Sequence, residues 1–156
     1  MAQTVWNIAS GRPAADGIKD IDLVYFQSDD LSARTEAEHE CRLRRTFAHL
    51  PVKLDVKNEA RVHQWYAGVF GYPIAPYGSV AQAIATFPTV ATSVGVRRRD
   101  GAFEVCAPFG LDDLFARVVR ANKRQITRAI YEAKVERWRA LWPALKIVPW
   151  DGLAGG

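Results

Sequence analysis

The sequence predicts an α+β domain in which a mixed β-sheet is flanked by helices. Two observations favour this class: helix-like and strand-like segments alternate along the first half of the chain, and a hairpin signal followed by further helices occupies the second half. The 156 residues, 49% of them hydrophobic, suffice for one core and are too few to predict two. We therefore expect a single domain over residues 1–150 and a disordered tail over residues 151–156.

The first elements are a helix, a strand and a second helix. Residues 4–10 carry apolar side chains and stop at Gly11, which is typical of a helix closed by a glycine cap. Residues 20–26 form an apolar run that opens with two aspartates, and this run predicts a strand. Residues 33–50 place acidic side chains early and basic side chains late, as the helix dipole favours, and Pro51 ends the predicted helix.

The middle of the chain predicts a second strand and two more helices. Residues 52–57 alternate apolar and polar side chains, which indicates a half-buried strand. Residues 59–70 repeat apolar side chains at helical spacing and predict an amphipathic helix. After a loop rich in proline and tyrosine, Ser79 is a good cap for a short helix that runs to Thr86.

The second half predicts a hairpin and two helices. Residues 91–98 and 102–107 are β-rich and flank Asp100-Gly101, a strong hairpin signal. Residues 111–119 and 126–141 both carry apolar side chains on one helical face. No repeat or interdomain linker interrupts this order.

Charge is unevenly distributed along the chain, whose net charge is +4. From Leu114 onward, nine Lys and Arg residues stand against three acidic residues, a net charge of +6, which leaves −2 for the rest. A basic third of the chain beside an acidic region is consistent with binding of a polyanion such as a nucleoside triphosphate. It is equally consistent with a helix whose charged face is solvated.

The composition also bears on location. No apolar run approaches the roughly 20 residues of a membrane-spanning helix, and the N-terminus lacks the pattern of a signal peptide. Cys41 and Cys106 have no companions at metal-ligand spacing, so they predict neither a zinc site nor a disulfide. We expect a cytoplasmic protein without a membrane partner.

Two carboxylates one residue apart open the first predicted strand. Because strand side chains alternate between faces, Asp20 and Asp22 project to the same side. Neighbouring like charges favour a bound cation, and ligand sets made only of oxygen suit Mg²⁺ better than Zn²⁺. If the 52–57 strand pairs beside the first, Asp55 approaches both and completes a three-carboxylate cluster. Simple solvent exposure at the mouth of a strand is the other reading of Asp20 and Asp22.

Four segments of the chain share their pattern with a known family: residues 18–22, 56–61, 91–97 and 107–115 read IKDID, VKNEAR, ATSVGVR and APFGLDDLF. These segments resemble a bacterial branch of the DNA polymerase beta-like nucleotidyltransferase superfamily, whose members are called nucleotidyltransferase family proteins. The resemblance covers nearly the whole chain. It implies a nucleotidyltransferase-like fold and transfer of a nucleoside monophosphate from a nucleoside triphosphate to an acceptor, with release of pyrophosphate.

The resemblance also implies roles for individual residues. Asp20 and Asp22 are expected to hold the Mg²⁺ that gathers the triphosphate oxygens. Asp55 is expected to hold a second Mg²⁺ and to help deprotonate the attacking hydroxyl, in a two-metal site. The candidates for nucleotide binding are three basic residues near these strands, Lys19, Lys57 and Arg61.

One expected motif does not fall within the chain. The superfamily places a glycine-led turn at the start of the helix before the metal strand, where backbone N–H groups meet the triphosphate. Since this sequence begins with Met1-Ala2-Gln3, that position would lie upstream of residue 1. We therefore expect a member that lacks the glycine motif.

Two other functions stay open at this point. The first is a catalytically weak or inactive member that acts as a nucleotide-binding or protein-interaction module. The second is a nucleic-acid binder that uses the basic C-terminal region with Tyr131, Trp138 and Trp142, for which core packing is the favoured explanation. The sequence predicts neither the acceptor, nor the preferred base, nor the oligomeric state.

Overall fold

Helices and strands alternate through residues 1–152, which are the residues that the computed structural model describes. The helices are α1 (Ala2–Ala9), α2 (Ala33–Thr46), α3 (Val62–Phe70), α4 (Val80–Ile84), α5 (Asp112–Phe115) and α6 (Arg128–Leu141). The strands are β1 (Asp20–Tyr25), β2 (Lys53–Asn58), β3 (Gly95–Arg99), β4 (Ala102–Cys106), β5 (Val118–Val119) and β6 (Lys146–Ile147). Two 3₁₀ turns lie at Glu59–Arg61 and Val90–Thr92. The predicted α+β class is confirmed, and the end of the predicted tail, residues 153–156, lies outside the described residues.

Both parallel and antiparallel pairs occur among the strands. Over residues 1–152 they form three sheets, each two strands wide: β1 with β2 and β5 with β6 are parallel, and β3 with β4 is antiparallel. The turn between β3 and β4 has positive φ at Asp100 (49°) and Gly101 (83°), which is the backbone of the hairpin that the Asp-Gly pair predicts.

The two longest of these helices, α2 and α6, have 14 residues each. The Ser32 hydroxyl caps α2 by accepting the Thr35 N–H, and the Thr127 hydroxyl caps α6 by accepting the Ile130 N–H. α2 ends at Thr46, before the predicted stop at Pro51. Within the described part of the chain, no helix has both the length and the apolar composition that crossing a bilayer requires.

The predicted helix over residues 111–119 is wrong in its second half. α5 ends at Phe115, and Arg117 adopts a left-handed φ of 57°, which a helix cannot continue through. Val118 and Val119 then pair with β6, as suits β-branched side chains. This short parallel pair connects distant parts of the sequence, so local periodicity does not predict it.

The predicted strand over residues 91–98 begins late. Residues 90–92 form a 3₁₀ turn, and β3 starts at Gly95. The reason is a buried hydroxyl: Ser93 Oγ donates to the carbonyl oxygen of Thr89 at 2.9 Å, and such a local bond competes with a strand ladder.

Contacts between residues divide the chain into two compact units. We call Ile18–Ala83 the β1–β2 unit, and Met1–Gly17 with Ile84–Gly156 the hairpin unit. In the β1–β2 unit, the buried face of β2 carries Leu54 and Val56, and β2 packs against α2. A single domain over residues 1–150 stays a prediction.

Tryptophan dominates the core of the hairpin unit. Trp6 packs edge-on against Trp138 and Trp142, with ring centroids 5.2 and 5.6 Å apart, and its Nε1 donates to the Leu114 carbonyl. Tyr131 is buried in the same cluster and donates its hydroxyl to the Val119 carbonyl. The favoured core role of Tyr131, Trp138 and Trp142 is confirmed, so these rings are not a nucleic-acid surface.

A fully buried amide holds the loop that leads toward β1. Asn7 accepts a hydrogen bond from Trp142 Nε1 at 2.8 Å. Its own amide nitrogen donates to the carbonyls of Ala14 and Asp16, at 3.1 and 2.7 Å. Since every one of these partners is within the hairpin unit, Asn7 ties α1, the loop after it and the end of α6 together.

Gly95 marks a close approach at the start of β3. A Cβ atom added there would lie 2.7 Å from Cδ1 of the buried Ile84, closer than non-bonded carbon atoms come, so the Ile84 side chain would have to shift. A glycine at the start of the hairpin lets the buried Ile84 keep its position.

Candidate functional site

β1 and β2 pair in parallel, in a register that sets two aspartates side by side. Asp22 lies opposite Asp55, and Asp20 lies opposite Lys53. Because side chains alternate along a strand, Asp20, Asp22 and Asp55 belong to one face of the pair, and Leu54 and Val56 belong to the other. The strand pairing on which the three-carboxylate prediction depends is therefore present.

The two faces of β2 differ in burial. Leu54 and Val56 are buried, whereas Asp20 and Asp22 are exposed and Asp55 is half-buried. This difference explains how the register is fixed, since a slip of one residue would expose the apolar side chains and bury the charges. The aspartates thus stand on a rigid strand pair and reach solvent.

Lys57 supplies a cation on the same face. Its Nζ lies 2.7 Å from the Asp55 Oδ1. Burial acts to lower the pKa of Lys57, but the hydrogen bond and the charge of Asp55, together with the charges of Glu36 and Glu40, outweigh it and leave that pKa above the usual lysine value. Lys57 therefore stays charged at neutral pH and neutralises Asp55.

Glu59 is a residue that sequence reasoning missed. It follows β2 directly, and only 6% of it is exposed. Burial, and then the negative charges of Asp22 and Glu36, raise the pKa of Glu59 to about 7, against a smaller opposing effect of Lys57. The alternation of β2 gave no signal for it, because β2 ends at Asn58 and Glu59 begins the 3₁₀ turn.

Arg61 belongs to a buried network that links three elements of the β1–β2 unit. Its NH1 donates to Glu36 Oε1 at 2.6 Å, and its Nε donates to the Leu31 carbonyl at 3.2 Å. The other oxygen of Glu36 accepts the backbone N–H of Asn58 at 2.7 Å. Only 11% of each charged side chain is exposed, so the guanidinium of Arg61 is committed to this ion pair. Its predicted role in nucleotide binding stays a prediction.

Lys19 lies immediately before β1, and its residue is exposed. Its carbonyl accepts the Lys53 N–H at 3.1 Å, which extends the strand ladder by one bond. The structure thus brings Lys57 to the acidic face, pairs Arg61 with Glu36, and leaves Lys19 exposed immediately before β1. Phosphate binding by Lys19 and Lys57 stays a prediction.

The chemistry of the donor set fits Mg²⁺. Carboxylate oxygens are the protein ligands that Mg²⁺ prefers, and the register brings two carboxylate positions into direct opposition, with a third on the same face. Over residues 1–152, no group of three or more His, Cys, Asp or Glu side chains is close enough to hold a metal ion. The pairing of Asp22 with Asp55 is therefore the observation on which a metal site depends, and Asp20 as a third ligand stays a prediction.

Comparison with known proteins gives one family and one structural relative. A protein whose NMR structure is described as revealing a CCA-adding enzyme head domain is similar in fold, with a TM-score of 0.76 and 25% sequence identity. The likeness covers 95% of this chain and 77% of that one. None of the curated proteins compared with the chain matches it.

The sequence model of the family described as Nucleotidyltransferase matches residues 1–147. The match includes both strands that carry the aspartates, and the fold likeness to a CCA-adding enzyme head domain agrees with it. Since the family model spans nearly the whole chain, this protein belongs to the nucleotidyltransferase family.

Proposed function

We propose that the protein is a Mg²⁺-dependent nucleotidyltransferase that moves a nucleoside monophosphate from a nucleoside triphosphate to an acceptor hydroxyl. The acceptor oxygen forms a bond to the α-phosphorus as the bond from that phosphorus to the bridging oxygen breaks. Pyrophosphate leaves with the electron pair, and the hydroxyl proton passes to a carboxylate. The single observation that carries this proposal is the opposition of Asp22 and Asp55 on one face of β1 and β2 in a chain of this family.

The acidic residues have separate roles in this proposal. Asp20, Asp22 and Asp55 are the ligands of a two-metal site, and bound Mg²⁺ supplies the positive charge that offsets the triphosphate. Asp55 also receives the proton of the attacking hydroxyl. The parallel pairing of β1 with β2 holds these carboxylates in place as substrates bind and products leave.

The basic residues have the complementary task of attracting phosphate. Lys57 stays charged at neutral pH and stands next to Asp55, where it can turn toward an incoming phosphate oxygen. Lys19 is exposed at the beginning of β1 and is the second proposed phosphate contact. These contacts offset the repulsion between the triphosphate and the aspartates. The cytoplasm is the proposed location, since triphosphates are available there.

Isothermal titration calorimetry tests the proposal directly. Each of the four ribonucleoside triphosphates is titrated into the protein with and without Mg²⁺. We expect at least one to bind only with Mg²⁺, and we expect Asp22→Asn to weaken that binding at least about tenfold. Transfer of an α-labelled nucleotide to added RNA, protein and small-molecule acceptors then gives the activity.

Asp29→Asn is the matched control, because it removes the same charge from an exposed position beyond β1 in the same unit. It should bind as the unsubstituted protein does. If the unsubstituted protein binds no triphosphate in the presence of Mg²⁺, the transferase proposal fails and a protein-interaction module is what remains. If it binds triphosphate but transfers nothing, the chain is an inactive nucleotide-binding member.

A further inference from the structure

One face of the β3–β4 hairpin is exposed although it is apolar. The antiparallel register sets Val96 beside Val105 and Arg98 beside Phe103. Residues two apart share a strand face, so these four side chains line one surface. Phe103 is 73% exposed, Val105 is 55% exposed and Val96 is 49% exposed. We call this surface the Phe103 face.

Arg98 is the cation of the Phe103 face. On the opposite face, Glu104 is shared by two arginines: Arg97 Nε lies 2.5 Å from Glu104 Oε2, and Arg99 NH1 lies 3.7 Å from Oε1. Among the ion pairs of residues 1–152, none involves Arg98. The Phe103 face therefore presents a positive charge directly beside an exposed aromatic ring.

The charge of the whole hairpin unit indicates the kind of partner. This unit has 13 Lys and Arg residues against 8 Asp and Glu residues, a net charge of +5, whereas the β1–β2 unit has 8 against 9, or −1. Basic side chains of the hairpin unit lie over aromatic rings elsewhere in the unit, for example Arg124 over Phe109 at 4.8 Å and Lys123 over Trp150 at 5.2 Å. A second copy of so basic a unit would be repelled, and a polyanion would be attracted.

We propose that the Phe103 face binds single-stranded nucleic acid, with a base stacked on Phe103 and the adjacent phosphate at Arg98. A nucleic acid is the polyanion whose repeating units carry flat rings, and only a single strand leaves the faces of its bases free to stack. This binding does not rest on the proposed function. These residues are distinct from the buried rings of Tyr131, Trp138 and Trp142.

Fluorescence anisotropy of labelled oligonucleotides tests this inference on the full chain. RNA and DNA of the same sequence, about 12 nucleotides long, are compared with the corresponding duplexes, at about 50 and 200 mM salt. We expect at least one single strand to bind more tightly than its duplex, and more weakly at the higher salt concentration. The difference between RNA and DNA gives the preference of the Phe103 face for one of the two.

Variants on the face separate stacking from charge. Phe103→Ala should weaken binding by about tenfold, the loss of one stacked base, and Phe103→Trp should retain it. Arg98→Ala should weaken binding and lower the slope of log affinity against log salt by about 0.7, the effect of one phosphate contact. Phe115→Ala is the control, because Phe115 is an exposed ring of the same unit outside the hairpin and should not matter. All of these side chains are exposed, so the variants should fold.

Three results would overturn the inference. They are the absence of binding to every single strand at low salt, binding that neither Phe103→Ala nor Arg98→Ala weakens, and a dimer in sedimentation experiments that Phe103→Ala dissociates. Repeating the anisotropy titration with the Asp22→Asn variant separates nucleic-acid binding from triphosphate binding. Strand binding that persists in this variant supports the Phe103 face whether or not triphosphate binds.

Discussion

At the end of β2, a buried amide and a buried carboxyl occupy consecutive positions. Asn58 is satisfied by several hydrogen bonds: its Oδ1 accepts the N–H groups of Gln27 and Ala60, and its Nδ2 donates to the carbonyls of Gln27 and Asp30. Glu59 instead lies near two other acidic residues, which makes its ionised form costly. Folding and pH are therefore linked at this residue.

Glu59→Gln should remove a pH dependence from the stability of the protein. An unfolded glutamate has a pKa of about 4.5, and the folded value is about 7, so the folded state holds more protons between these limits. Stability should fall as pH rises through this window, by on the order of 3 kcal/mol, and stay constant above it. Urea unfolding at pH 5 and pH 8 should show the variant to be more stable than the unsubstituted protein at pH 8, with the gap narrowing toward pH 5.

Glu38→Gln is the control for this experiment, since Glu38 is an exposed glutamate of α2 in the same unit. Its pH dependence should parallel that of the unsubstituted protein. If Glu59→Gln keeps the full pH dependence, the carboxyl is not buried as described.

Among the elements, α2 is held to β2 by a charge as well as by apolar packing. Glu36 accepts hydrogen bonds from the Asn58 backbone and from Arg61, which begins the link to α3. Buried ion pairs of this kind contribute little net stability compared with apolar packing, but removing one partner leaves an uncompensated charge. The network therefore fixes where α2 lies against the strand that carries Asp55.

Glu36→Ala should be strongly destabilising, by about 3 kcal/mol or more, because it leaves the Arg61 guanidinium buried without its carboxylate. The double variant Glu36→Ala, Arg61→Ala should lose less than the sum of the two single variants, a difference that urea unfolding of all four proteins measures.

Glu38→Ala is the matched control, because Glu38 forms an exposed ion pair with Arg34 in the same helix. The urea midpoint of this variant should equal that of the unsubstituted protein. Additive losses at Glu36 and Arg61 would show that the two residues act independently.

Local signals predicted much of this fold, and distant contacts account for the rest. The Asp100-Gly101 turn and the alternation of β2 were visible in the sequence because neighbouring residues alone decide them. The pairing of Val118-Val119 with β6 was not visible in the sequence, since it depends on a partner far along the chain. For the site, spacing placed Asp20 and Asp22 on one face, but the burial that singles out Glu59 follows from packing that no short motif encodes.

At the scale of the whole molecule, the two compact units should unfold together if residues 1–150 are a single domain. In the variant Trp65→Phe, the remaining tryptophans are Trp6, Trp138, Trp142 and Trp150, all of the hairpin unit. Their fluorescence then reports that unit, while circular dichroism reports the helices of both. We expect the two urea transitions to coincide. Separate midpoints in this variant would show two domains.

The tight contact between Gly95 and Ile84 sets the start of the hairpin apart from its solvent-facing positions. Random substitution should preserve folding at the solvent-facing positions, where a new side chain meets no buried neighbour. At Gly95, any added side chain requires the buried Ile84 side chain to shift, so substitution there should lower stability more than on the Phe103 face.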